Sequence, residues 1–150
     1  MKIDITTGDK ITPGEIVYEF NLLLENRSIQ ILTYNIETVV AEKMETLISR
    51  GITNTRMRDF YDLYILLKLQ NENIKSDFLK EALFETAKRR NSLRNLQYGE
   101  EVINDIFEDQ LLQEYWRRYQ KEYSYAEDVS WKDIRDAVAY LWDMTEFVNI

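Results

Sequence analysis

The stretch YNIETVVAEKMETLISRGITNTRMRDFYDLYILL, residues 34–67, constrains the fold more than any other because it sets charges on surfaces that must be buried. Read at helical period from Ile36, the side chains of Ile36, Val39, Val40, Met44 and Leu47 form one apolar stripe, with Ile48 at its edge. Lys43 and Arg50 fall inside that stripe, while Thr38, Glu42, Glu45 and Ser49 take the opposite face. A cation on a buried face requires a carboxylate, a phosphate or a water-filled cleft, because an unpaired buried charge is too costly to retain.

Gly51 is predicted to stop this helix in a left-handed cap, and Asn54 or Thr55 to cap a second helix over residues 56–70. The second helix is apolar all round, from Met57, Phe60 and Tyr61 through Leu63, Ile65 and Leu66, so it reads as central and buried. It nevertheless carries Arg56, Arg58, Asp59 and Asp62, the two acids one turn apart and Arg58 within reach of Asp62 at i,i+4. Cations on one buried face and acids on the next helix make a polar cluster. It is either a structural ion-pair network or a site.

Composition narrows the chemistry. The chain has 150 residues, 45% of them hydrophobic and 13% aromatic, which suits one packed domain. It has no cysteine and no histidine, so disulfides, thiolate metal sites and imidazole bases are excluded. Acid, base or metal chemistry must use carboxylates, lysine or tyrosine, which favours a hard cation such as magnesium. The formal net charge of -8 opposes nucleic-acid binding over the whole surface but not through a local basic patch. No window approaches the ~18 apolar residues of a membrane span, and no signal-peptide core opens the chain. A cytoplasmic location with no membrane partner is expected.

Lys2 to Thr7 alternates as a strand does, and Thr12-Pro13-Gly14 reads as a loop. Glu15 to Leu24 and Ser28 to Tyr34 are strand-like and plausible as a hairpin around Asn26 and Arg27. The expected fold class is therefore α+β: a small antiparallel or mixed sheet of about three strands, covered by the helix from Ile36 and followed by a helical bundle. Residues 1–34 would be the strands and 35–150 the helical part, together one compact unit. Further helices are expected over 77–90 with Ser76 as N-cap, over 100–107, over 109–123, and from Ser130 onward with Asp133 completing a capping-box-like start.

The third helix ends in AKRRNSLRN, which collects Lys88, Arg89, Arg90 and Arg94. Two readings are open: a solvated end whose cations match the helix dipole, or a set of contacts to RNA phosphates. The run DQLLQEYWRRYQKEY sets Tyr115, Trp116 and Tyr119 beside Arg117 and Arg118. Such aromatics stack bases in some proteins and more often belong to the core.

AEKMETLISR followed by NTRMRDFYDLY resembles the two C-terminal motifs of the AbiEii/AbiGii-type nucleotidyltransferases, toxins of bacterial toxin–antitoxin and phage-defence pairs. The resemblance implies that the strands are the remnant of a nucleotidyltransferase fold. It implies a transferase moving a nucleotidyl group from an NTP to an RNA or protein acceptor, with magnesium as cofactor and a cognate antitoxin as partner. Carried onto this sequence, Asp4 is a metal ligand or base near the attacking hydroxyl, although a solvent-facing strand aspartate is the plain alternative. Lys43 meets the triphosphate and Arg50 holds phosphate or orients a carboxylate. Asp62 takes a direct catalytic role, and Asp59 with Arg56 or Arg58 fixes the cluster and contacts substrate. The family's earlier Gly-Ser and aspartate motif has no match here, and two-metal transfer needs several carboxylates, so these 150 residues alone are expected to be inactive. The alternative is a non-catalytic helical module that binds RNA or a partner such as the antitoxin.

Overall fold

A computed structural model describes residues 18–22, 27–31 and 36–147, the two strand segments by their backbone alone. The order is β1 (Tyr18–Leu22), β2 (Arg27–Ile31), α1 (Ile36–Arg50), α2 (Met57–Gln70), α3 (Ser76–Arg89), α4 (Leu93–Leu96), α5 (Gly99–Glu108), α6 (Gln110–Glu122) and α7 (Trp131–Thr145). Short 3-10 turns occupy Gly51–Thr53, Asn71–Asn73 and Ser124–Ala126.

The α+β expectation is corrected. Seven α-helices account for most of the described residues, and strand pairing among them is limited to one antiparallel hairpin, in register from Tyr18 opposite Ile31 to Leu22 opposite Arg27. Two strands of five residues do not form a layer able to organise a core. The expected strand at Lys2 to Thr7 and the loop at Pro13 lie outside the described residues. Alternation along a sequence reports a local extended habit, not the number of strands that assemble.

The apolar stripe of α1 is buried as expected, but it packs most extensively along α3, with further contacts to α2, α4 and α5. Gly51 ends α1 at φ +54, a conformation that costs glycine little. Asn54 is buried and accepts the N–H of Arg56 through Oδ1 at 3.2 Å, so it shapes the turn before α2 and does not cap the helix itself. α2 is buried over its first three turns and packs on α7, and its end emerges at Lys68 and Leu69. Phe60 of α2, Phe107 of α5 and Trp131 of α7 meet with ring centroids 4.8 to 6.1 Å apart.

The starts of α6 and α7 are capped by local side chains. Asp109 accepts the N–H of Leu112 at 3.0 Å ahead of α6, and Ser130 with Asp133 forms a complete capping box on α7. Ser76, expected as an N-cap, is the first residue of α3. The carboxylate of Glu37, buried on α1, instead accepts the N–H of Lys75 at 2.8 Å. A negative charge there also suits the positive end of the α3 dipole. Among the described residues no helix is long and apolar enough to cross a membrane.

Candidate functional site

The centre of the molecule holds a cation between two acids. Lys43 projects from the middle of α1 toward α2, its ammonium 3.0 Å from Asp62 Oδ2 and hydrogen-bonded to Asp59 Oδ1 at 3.4 Å. The i,i+3 spacing of the two acids sets both carboxylates on the side of α2 that faces α1. All three side chains are largely withdrawn from solvent, Lys43 retaining 16% of its exposure. Arg56, exposed at the start of α2, reaches Asp59 Oδ2 at 3.7 Å. Arg58 is half-buried nearby, and its positive charge acts on Asp62.

Burial pushes the Asp62 carboxyl above its ordinary value. Lys43 and Arg58 oppose that rise and the neighbouring Asp59 adds to it. A buried carboxylate that ionises less readily than a free aspartate, even beside a lysine, gains little as a stabilising ion pair. Tyr61, behind the acids, is pushed up to about 12 by burial and by Tyr125, Tyr64 and Asp62. Burial likewise raises Tyr119 and Tyr125, whose hydroxyls bond to each other. These phenols stay protonated at neutral pH, so proton chemistry at this centre rests on the carboxylates and the lysine.

The structure thus brings Lys43, Asp59 and Asp62 together, with Arg56 and Arg58 at their edge. Arg50 does not join them: it closes α1 with an exposed side chain that forms no ion pair with a described residue. The expectation that Arg50 turns inward is corrected, because at a helix terminus its long side chain can reach water. Asp4 lies outside the described residues. Among the described residues no group of three or more acids is placed to share an ion, and Asp59 and Asp62 face Lys43.

The basic run divides in two. Arg90 pairs with the buried Glu45 and also donates to Thr46 Oγ1 at 3.3 Å, while Arg89 approaches Glu42 at 3.8 Å. Lys88 and Arg94 remain exposed. Glu45, assigned by its helical position to a solvent face, instead accepts from Ser49 at 2.6 Å, Ser92 at 2.8 Å and Arg90. Burial alone would raise its carboxyl, but these donors outweigh burial and hold it below the usual range. The trace left in the sequence is a pair of acids on one helix matched by a pair of arginines on another.

The sequence matches the family described as nucleotidyl transferase AbiEii toxin, Type IV TA system, over residues 1–140. No curated protein and no solved structure matches it. The Ala-Glu-Lys and Arg-Asp-x-Tyr-Asp segments that meet at Lys43, Asp59 and Asp62 lie within the matched span, and the chain belongs to the AbiEii family of nucleotidyl transferase toxins.

Proposed function

We propose that this protein contributes the Lys43, Asp59 and Asp62 cluster to an active centre that transfers a nucleotidyl group from an NTP to an RNA or protein acceptor. The observation that supports this most is the lysine held between two buried acids on the neighbouring helix, one of which resists ionisation. An ammonium fixed in a water-poor site is well suited to receive a triphosphate and to stabilise the charge of departing pyrophosphate. Asp62 is the residue assigned a direct role, and Asp59, tied to Arg56, positions Lys43. Arg50, about two turns further along α1, supplies an exposed cation for the phosphate tail. Asp4 and magnesium enter only through the family resemblance, and a cognate antitoxin is the expected partner.

The test is incubation of the full-length protein with labelled NTPs and total RNA, the label reporting donor and acceptor class together. Lys43→Ala should lower transfer by about 10²-fold or more with the fold retained. Transfer that survives Lys43→Ala at the wild-type rate would sink the role given to Lys43, and absence of transfer by the wild type would leave a non-catalytic binding module as the better account.

A further inference from the structure

We propose that the cleft where α3 meets α4 binds a backbone phosphate of an RNA strand through Lys88 and Arg94. This rests on the RNA-acceptor form of the function above. The cleft, about 510 Å3, is lined by Lys88, Asn91, Leu93, Arg94 and Asn95, with no acid among them. In a chain with 27 acids and 19 cations that is an uncommon local balance. The two arginines between Lys88 and Asn91 are turned toward the carboxylates of α1, so the cluster reaches solvent through Lys88 and Arg94, neither of which pairs with a described acid.

The end of a helix ordinarily repels anions, because its last carbonyls carry partial negative charge. Here the N–H groups of Arg90, Asn91 and Ser92 bond the carbonyls of Thr86, Lys88 and Ala87, with Asn91 in the left-handed region at φ 57. The carbonyls of Thr86, Ala87 and Lys88 are thereby occupied. The far wall is held as well: Asn95 donates to Ser49 at 3.0 Å, and Ser49 to the buried Glu45 at 2.6 Å. The cleft is anchored to the core, so little ordering is required when an anion arrives.

The experiment is fluorescence anisotropy of the whole protein with a labelled single-stranded RNA, without NTP, over a range of salt. Lys88→Gln with Arg94→Gln should weaken RNA binding about tenfold and reduce the slope of log affinity against log salt by about 0.7, as for one lost phosphate contact. The control is Lys132→Gln with Arg135→Gln, which removes equal charge from exposed positions on α7. Equal weakening by both pairs would overturn the proposal in favour of general electrostatics. Competition separates the sources of phosphate: unlabelled RNA should displace the label, whereas displacement by ATP or inorganic phosphate at equal phosphate concentration would assign the cleft to the nucleotide and overturn it. RNA binding insensitive to the cleft pair, with transfer still dependent on Lys43, would remove the docking site and leave the enzyme assignment standing.

Discussion

Lys43 Nζ lies 3.0 Å from Asp62 Oδ2 across the α1–α2 seam, and that carboxyl is still harder to ionise than a free aspartate. If the pair existed for stability, the geometry would leave Asp62 at a net disadvantage, since its desolvation outweighs the attraction of its partners.

Asp62→Asn therefore separates a functional from a structural role. It retains shape and removes the unfavourable charge, while Asp59 remains as the counter-ion of Lys43. The expected outcome is loss of nucleotidyl transfer with a Tm unchanged or raised. A thermal melt lowered by several degrees would favour a structural ion pair.

Glu45→Gln should act in the opposite way. It removes the charge that Ser49, Ser92 and Arg90 converge on and leaves Arg90 without its partner, loosening the α1–α3–α4 junction. A cost of about 2–3 kcal/mol is expected in urea unfolding. Arg90→Met introduced with it should recover part of that loss, because the stranded cation is then gone, and strictly additive costs in the double-mutant cycle would argue against the pairing.

Gly99→Ala tests the seating of α5. A methyl group at Gly99 would come within 2.9 Å of three indole carbons of Trp142, which is itself buried in α7. Overpacking of this kind costs about 1–3 kcal/mol. The lowered Tm should be accompanied by a change in tryptophan fluorescence, and an unaltered melt would mean that the two helices do not meet there.

Stability should depend on pH through two carboxyls with opposite signs. Glu45 has a lowered folded value, so its contribution is complete above the unfolded value near 4.5 and disappears as pH falls through the folded value. Asp62 has a raised folded value. Its ionisation therefore costs stability at pH above that value, and the cost disappears as pH falls toward the unfolded value near 3.8. Urea titrations between pH 7 and pH 4 should show the wild type losing less stability on acidification than Asp62→Asn, which lacks the compensating gain. Identical pH profiles for the two proteins would contradict the shift assigned to Asp62.

Much of the helical architecture is legible in the residues themselves. The ends of α1 and α2 follow from apolar periodicity and the Gly51 stop, and Asp109 and Ser130 announce the starts of α6 and α7. The meeting of Lys43 with Asp59 and Asp62 is also written locally, since a short turn folds their two helices back on each other. Fold class was not, because alternation near the start of the chain says nothing of how many strands assemble. Nor was the division of labour in the basic run, where Arg89 and Arg90 are indistinguishable in type from Arg94.

The sequence by itself determined the longer helices, though not the short α4, and that a lysine on an apolar stripe had to find an acid, because these follow from backbone propensity and the cost of an unpaired charge. Only the tertiary structure decided that Glu37 and Glu45 are buried, that Arg50 is not, and that Lys88 and Arg94 are left facing solvent. Burial of a charged side chain depends on which helix lies across from it, and α1 meets α3 some forty residues downstream, a distance over which local pattern carries no information.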